Sequence, residues 1–183
     1  KATWLEHKTE AGGVVLGLED HDEAARALDE LWTRLGPGRY VVEEMDVRDD
    51  VVELIVGTRR DRSFGPLVLV GAGGIAAELH RDTQIALAPV SEEEAEQVVR
   101  SLKSAPLLDG WRGAPAVDVR AAARVVAAVS RLLTECPEVV EAEINPLRVG
   151  PTGAVAVDAL LRAYDHVMPC SGRPRPSPRR PTP

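Results

Sequence analysis

Aromatic residues are scarce in this chain, which restricts both its core and its partners. They make up 3% of the 183 residues, whereas hydrophobic residues as a whole make up 44%. The core must therefore consist of alanine, valine, leucine and isoleucine, which is typical of α/β proteins with continuous aliphatic strands. The chain also offers no aromatic platform on which nucleic-acid bases could stack.

Cysteine and long apolar runs are nearly absent as well. The two cysteines, Cys136 and Cys170, form neither a disulfide framework nor a metal-ligand spacing, so we expect a reducing, cytoplasmic environment. No apolar stretch approaches the roughly 18 residues of a membrane-spanning helix, and no segment reads as a signal peptide. These absences predict a soluble protein without a membrane partner.

Positive charge is scarce in the body of the chain. The net charge is −7, yet residues 164–183 carry four arginines against one aspartate, so the preceding part is more acidic still. An acidic body repels a polyphosphate backbone, which disfavours nucleic acid but not small phosphates held by Mg²⁺. The last residues alternate proline with arginine and serine, and such a composition cannot bury a core. We therefore expect a domain over residues 1–163 and a disordered tail over 164–183.

Hydrophobic periodicity predicts an α/β (α+β) body with an antiparallel sheet. Helical spacing and capping signals predict helices over residues 21–35, from Ser91 onward, and from Asp118 to about Thr134. Short aliphatic runs between turns predict strands at 12–18, 40–45, 51–58, 66–70, 85–90, 139–149 and 154–161. The three runs between residues 40 and 70 indicate an antiparallel meander.

Two clusters contain the material of a phosphate site. The first consists of Lys1 and the polar turn from His7 to Gly13, and the second is the glycine run from Gly71 to Gly74, directly after a predicted strand. Glycines let a backbone approach a ligand and leave N–H groups exposed to it. An ordinary surface loop is the favoured explanation of the first cluster, and a tight structural turn explains the second almost as well as a phosphate site does.

A third cluster places oxygen ligands on two neighbouring predicted strands. Glu141, Glu143 and Asn145 share one strand face, and Asp158 on the next strand comes opposite if the two strands pair antiparallel. Mg²⁺ prefers such carboxylate and amide oxygens. A solvated strand face ending in an Asn-Pro turn is an equally weighted alternative.

The order of these clusters resembles the ATP-grasp domain of NDP-forming acyl-CoA synthetases, from residue 1 to about residue 163. The matching segments are KATWLEHKTEAGGVVLGL at 1–18, VEEM at 42–45, ELIVGTRRDRSFGPLVLVGAGGI at 53–75, Arg112-Gly113, EINPL at 143–147 and VDA at 157–159. The resemblance implies two lobes that sandwich ATP. Family members have a helix, a loop and a strand before the lysine that matches Lys1, so we expect an incomplete amino-terminal lobe.

The resemblance also implies a set of residues that bind ATP or ADP. Lys1 would contact the nucleotide from its strand, and Glu43 would read the adenine edge or the ribose. The backbone up to Met45 would lie against the ring, and Glu53 would take a ribose hydroxyl. The glycine loop at Gly73-Gly74 would lie at the phosphates.

Metal and phosphoryl chemistry follow from the same resemblance. Asn145 and Asp158 would hold Mg²⁺, with Glu143 in the same cluster, and His7 would relay a phosphoryl group. A neutral imidazole suits that role because it is nucleophilic near neutral pH. The implied reaction converts acyl-CoA, ADP and phosphate into free acid, CoA and ATP. The acyl-CoA would bind to a partner, a CoA-binding ligase domain or subunit that carries a phosphorylated histidine.

Two alternatives compete with this ligase interpretation. The chain could be the synthetase-like region of a protein-lysine acyltransferase, which would sense nucleotide without turning it over. It could also be a degenerate module kept for assembly. Nucleotide binding separates the last from the other two, and ADP/ATP exchange separates the ligase from the acyltransferase.

Overall fold

The computed structural model describes residues 1–5, 8–74 and 81–164, which contain three α-helices and six strands. In chain order these are α1 (His21–Leu35), β1 (Val52–Asp61), β2 (Gly65–Ala72), β3 (Thr83–Leu87), α2 (Glu92–Arg100), α3 (Val119–Glu135), β4 (Val139–Gly150), β5 (Gly153–Ala156) and β6 (Ala159–Ala163). A short 3-10 helix, Ala105–Leu107, lies between α2 and α3. None of the helices in the described ranges has the length and apolar character needed to cross a membrane.

All six strands belong to one antiparallel sheet. The strand order is β3-β2-β1-β4-β5, and β6 pairs with the first half of β4 while β5 pairs with its second half. Each neighbouring pair runs antiparallel, so the predicted meander is confirmed for the runs that form β1 and β2, whereas its first run, at 40–45, forms no strand and β3 is the third strand instead. The predicted fold class, an antiparallel sheet with flanking helices, is confirmed as well.

One face of this sheet carries the core. Leu54 and Val56 of β1 and Val70 of β2 are fully buried, and they belong to one apolar cluster with Val99 of α2 and Val126 of α3. Strand side chains alternate between the two faces. The residues between these core positions, including Glu53, therefore project from the opposite face of the sheet.

A β-bulge in β4 determines which of its residues lie on that opposite face. The register with β1 shifts between Leu54 and Val56, so that β4 has one residue more than β1 over this stretch. The extra residue lies at Asn145-Pro146, where the peptide bond is cis. As a result Leu147 is buried in the core, while Arg148 pairs with Glu53 on the opposite face.

The helices begin where the sequence predicts. Ser91 and Glu94 form the expected capping box of α2, in which each side chain accepts a hydrogen bond from the backbone N–H of the other. Asp118 caps α3 by accepting from the N–H of Ala121 at 2.9 Å. Such caps satisfy N–H groups that have no partner within the helix.

Residues 1–47, here called the amino region, depart most from prediction. The strands predicted at 12–18 and 40–45 are wrong, since in those ranges only Tyr40 pairs, through an isolated bridge to Ala2. Gly12 and Gly17 have φ values of 65° and 70°. This left-handed conformation lies outside the extended range, so residues 12–18 cannot form a continuous ladder.

Tyr40 holds the amino region together. Its hydroxyl donates to the carbonyl of Gly36 at 2.7 Å and lies 3.2 Å from the carbonyl oxygen of Leu31, at the end of α1. Its ring lies edge-on to Trp4, with centroids 4.9 Å apart, and 5.9 Å from Trp32. The tyrosine therefore links α1 to the first residues of the chain, where Lys1 lies.

The predicted boundary behind the sheet remains a prediction. Residues 165–183 lie outside the described residues, so both the tail at 164–183 and the end of the domain at 163 stay expectations. Tyr164, next to the end of β6, donates its N–H to the carbonyl of Glu138 at 3.0 Å.

Candidate functional site

Three charged residues that are distant in the sequence meet where the amino region contacts the sheet. The Nζ of Lys1 lies 2.6 Å from Glu43 Oε2 and 3.4 Å from Asp158 Oδ1, and it donates to the carbonyl of Val157 at 2.8 Å. The Lys1 side chain is 15% exposed, whereas Glu43 is half exposed. Lys1 is thus held by carboxylates on one side while the cluster stays open to a ligand.

A second lysine, which belongs to the candidate phosphate-binding turn at residues 7–13, reaches the same aspartate. Lys8 Nζ lies 2.8 Å from Asp158 Oδ2, and its side chain is only 9% exposed. The chain has only three lysines, Lys1, Lys8 and Lys103, among 22 basic residues, so two of the three converge on one carboxylate. The sequence offers Lys8 as phosphate-site material, but it does not predict the pairing of Lys8 with Asp158.

Asp158 is the centre of this charge cluster. Burial, the largest single influence, opposes its ionisation, but the hydrogen bond from Lys8 and the charges of Lys1 and Lys8 together hold its pKa below the ordinary value. The carboxylate is therefore ionised at neutral pH. It can serve as a counter-ion for the lysines or as a ligand for a cation.

The predicted metal ligands lie on adjacent strand segments. Ile144 of β4 pairs with Ala159 of β6. The N–H of Asn145 donates to the carbonyl of Asp158 at 3.1 Å, so Asn145 and Asp158 lie next to each other across the two strands. The Asn145 Nδ2 donates to Glu143 Oε1 at 3.3 Å, which leaves the amide oxygen for a cation. No group of three or more His, Cys, Asp or Glu side chains suited to a metal occurs within residues 1–5, 8–74 and 81–164. Any Mg²⁺ here would need ligands from a bound phosphate as well.

Glu53 and the glycine loop form a second cluster on the same face of the sheet. The N–H of Gly73 donates to the Glu53 carbonyl at 2.7 Å. A Cβ at position 73 would lie 2.8 Å from the backbone of Glu53, and one at Gly74 would lie 3.4 Å from its Oε2. The two glycines therefore let the loop pass directly over Glu53. The residues that follow, 75–80, are outside the described residues.

Arg148 and Asp46 are further polar residues that sequence reasoning missed. Arg148 Nε lies 3.6 Å from Glu53 Oε1, and its Nη1 lies 3.2 Å from Asp46 Oδ2. Strict alternation places Arg148 in the core with Ile144, and only the bulge at Asn145-Pro146 brings it to the site face. Nothing in the residue pattern predicts that bulge except the Asn-Pro pair itself.

The structure thus brings most of the predicted residues into two clusters. Lys1, Glu43 and Asp158 are in contact, with Asn145 and Glu143 next to them, and Glu53 lies with Gly73 and Gly74. Met45 is 49% exposed and lies two residues after Glu43 on the connection toward Glu53. His7 falls outside the described residues, and its expected place at the mouth of the site stays a prediction.

Comparison with known proteins identifies the family of the chain. Residues 2–162 match a protein family described as ATP-grasp domain. The chain is 35% identical to the β subunit of acetate–CoA ligase (ADP-forming) I from Pyrococcus furiosus, covering 85% of this chain and 69% of that subunit. It is 33% identical to the trans-feruloyl-CoA synthase FCS1 of an unidentified prokaryote, of which it spans about a quarter (24%), covering 88% of this chain.

A solved structure has the same fold. The acetyl-coenzyme A synthetase 1 of Candidatus Korarchaeum cryptofilum, in complex with coenzyme A and Mg-AMPPCP, superposes with a TM-score of 0.72 at 34% identity. The match covers 86% of this chain and 71% of that one. In that complex a phosphohistidine segment points towards the nucleotide-binding site.

Proposed function

The chain belongs to the ATP-grasp domain family, and we propose that it is the nucleotide-binding part of an ADP-forming acid–CoA ligase. The reaction converts acyl-CoA, ADP and phosphate into acid, CoA and ATP, in either direction. The observation that carries the proposal is the convergence of Lys1, Glu43 and Asp158. These three residues join the amino region to the sheet through ion pairs, and each lies in a segment that matches a family motif.

The charge cluster suits a nucleotide with its metal. Two ammonium groups, Lys1 and Lys8, offset the negative charge of phosphates as point charges. Mg²⁺ is commonly held by one or two carboxylates plus substrate phosphates. Asp158 and the Asn145 amide oxygen, with Glu143 nearby, would therefore suffice as the protein ligands of the ion. When bound, the ion would neutralise developing charge on the transferred phosphoryl group.

The remaining predicted residues would bind the nucleoside. Glu43, half exposed beside Lys1, would accept from the adenine edge or the ribose, and the backbone up to Met45 would lie against the ring. Glu53 would accept from a ribose hydroxyl with its Oε2, the oxygen closest to Gly74. The Gly73 N–H is bonded to the Glu53 carbonyl, so the N–H of Gly74 is the loop group that would face the phosphates.

The acyl and CoA chemistry belongs to a partner in this proposal. The CoA-binding domain or subunit would carry the phosphorylated histidine and present it to the nucleotide, in the way that the phosphohistidine segment of the Korarchaeum enzyme points towards its own nucleotide site. His7 would act as the relay on this side. The relatives named above are an acetate–CoA ligase and a trans-feruloyl-CoA synthase, so similar domains occur with different acyl groups. This supports the proposal that acyl specificity is determined outside this domain. They give no support to the acyltransferase or assembly-module alternatives.

Calorimetric titration with ATP and Mg²⁺ tests the nucleotide site. Lys1→Met should weaken ATP binding by about tenfold or more, since a hydrogen bond to a charged group contributes about 1.5–3 kcal/mol. Lys103→Met, the remaining lysine, is the matched control and should bind as wild type does. Equal affinities for all three proteins would contradict the proposed site.

Phosphate incorporation in the complete ligase, with its CoA-binding partner, tests His7. His7→Ala should keep ATP affinity but lose phosphoryl transfer, because the lost group acts on the phosphoryl group and not on the nucleoside. His7→Gln keeps a hydrogen-bonding side chain that cannot be phosphorylated. Substantial acid-labile phosphate transfer by the Gln variant would show that His7 only contacts phosphate.

A further inference from the structure

Arg148 joins two parts of the molecule that the nucleoside would contact. It lies opposite Glu53 in the register of β4 and β1, with its Nε 3.6 Å from Glu53 Oε1. Its terminal nitrogens donate to two carbonyls just after Met45, Nη1 to that of Asp46 and Nη2 to that of Arg48 at 2.7 Å. The side chain is 18% exposed, so water competes little for these contacts.

Asp46 and Arg48 complete this arrangement, here called the Arg148 clamp. The Asp46 carboxylate accepts from Arg48 Nε at 2.8 Å and from its Nη2 at 2.6 Å. Arg48 also donates to the carbonyls of Gly153 at 3.2 Å and Arg148 at 3.3 Å. The hydrogen bonds from Arg48, together with the charge of Arg148, hold the pKa of Asp46 well below its ordinary value. The clamp therefore stays fully charged at neutral pH.

The segment that the clamp holds lies outside regular secondary structure, and at its start Val41 exchanges two backbone hydrogen bonds with Lys1, at 2.9 and 2.6 Å. Residues 41–51 belong to no helix or strand. Lys1 contacts Glu43 near one end of this segment, and the clamp fixes residues 46–48 near the other. The position of Glu43 and Met45 relative to the sheet therefore depends on side chains, and Arg148 supplies the contact that also touches Glu53.

We propose that Arg148 is a positioning residue for the nucleoside half of the ligand, a proposal that rests on the function proposed above. It holds the segment of Glu43 and Met45 at a fixed distance from Glu53. Glu43 and Glu53 are then already positioned to bind adenine and ribose. It touches neither the phosphate-binding lysines nor the predicted metal ligands in the described contacts. Its effect should therefore be confined to the nucleoside.

The geometry of the clamp requires an arginine. One guanidinium contacts two carbonyls and two carboxylates at the same time, in directions set by its planar fork of donors. A lysine has a single ammonium and cannot reach all four acceptor groups from position 148. Arg148→Lys should consequently behave like Arg148→Met, which separates geometric positioning from a general need for positive charge.

Calorimetric titration with two probes tests the proposal on the full chain. Arg148→Lys and Arg148→Met should each weaken the binding of Mg-ATP about tenfold while leaving the binding of Mg-tripolyphosphate within about twofold of wild type. Arg124→Met is the control, because Arg124 lies exposed on α3 with a single ion pair at 3.9 Å. It should change neither affinity.

The outcomes distinguish the proposal from its alternatives. Equal loss of both ligands would mean that Arg148 only maintains the fold, and unchanged ATP affinity would refute the clamp outright. If Arg148→Met does not fold, Asp46→Asn removes the carboxylate of the clamp but keeps the carbonyl contacts, and it should still lower ATP affinity selectively. A wild-type chain that binds tripolyphosphate but no ATP would instead contradict the proposed function, and the nucleoside proposal with it.

Discussion

The sheet body, residues 51–164, contains one large apolar core, whereas none of the described residues of the amino region belongs to that core. Leu16 is 74% exposed and Trp32 is 50% exposed, while Leu54, Val68 and Leu147 are fully buried. The amino region nevertheless contributes both lysines that meet at Asp158. Its place relative to the sheet therefore depends on polar contacts, chiefly those of Asp158 and of the Arg148 clamp, and not on a shared apolar core.

The two regions should respond differently to the same truncation, and this is the largest effect we expect. Leu54→Ala removes a fully buried side chain and leaves a cavity, which should lower the free energy of unfolding by about 2–5 kcal/mol. Leu16→Ala should cost less than about 0.5 kcal/mol, since its side chain is already in water. Urea denaturation measures both. A large loss for Leu16→Ala would mean that the amino region has a core of its own.

Disturbing the contact between the glycine loop and Glu53 should lower the free energy of unfolding by less than Leu54→Ala does, and the change should be local. Gly73→Ala would place a Cβ 2.8 Å from the Glu53 backbone, so the loop or β1 must shift at a cost of about 1–3 kcal/mol. Gly57→Ala in the same sheet is the control, because its Cβ would lie 3.8 Å from the nearest atom. It should leave stability nearly unchanged. Thermal unfolding and ATP titration should both separate the two variants.

The ion pairs between the regions should appear as a pH dependence. Because the folded-state pKa of Asp158 is lowered, its contribution is fully present above the unfolded value, about 3.9, and is lost as the pH falls through the folded value. The stability difference between wild type and Asp158→Asn should therefore shrink below about pH 4. Solvent screens a carboxylate that is 34% exposed, so this effect should be smaller than that of Gly73→Ala.

Denaturation of both proteins at a series of pH values measures this difference. A difference that is constant from neutral pH to pH 3 would show that the lysines do not hold the amino region to Asp158. Other contacts would then have to hold the amino region against the sheet body.

Removal of residues 169–183 should have the smallest effect of all. Their alternating proline and arginine leave no apolar face to bury. Truncation should leave the melting temperature unchanged, as measured by differential scanning fluorimetry at one protein concentration. A fall of several degrees, equivalent to about 1 kcal/mol in a domain of this size, would show that the segment packs on the body.

Much of the sheet body could be predicted from sequence, because local signals and tertiary packing agree there. The capping box at Ser91 and the aliphatic runs of β1 and β2 specify the same elements that the core requires. In the amino region the aliphatic run at 12–18 is contradicted by the left-handed glycines at 12 and 17. Periodicity does not reveal glycine conformation, so that strand was predicted wrongly.

The site divides in the same way. Lys1, Glu43 and Asp158 could be proposed because the resemblance to the family assigns them, although they are far apart in sequence. The contact of Lys8 with Asp158 and the position of Arg148 could not be predicted, since the first is a long-range ion pair and the second depends on a bulge. Neither feature produces a periodic pattern in the sequence, because both arise only when distant segments have come together.

The packing of Trp4 and Trp32 around Tyr40 makes the amino region optically distinct. The chain has three tryptophans, and the third, Trp111, lies in the sheet body. In a Trp111→Phe variant the tryptophan emission would therefore come only from the amino region, which carries Lys1 and Lys8. Its intrinsic fluorescence would follow any movement of that part during ligand titration or rapid mixing, without a dye or a label.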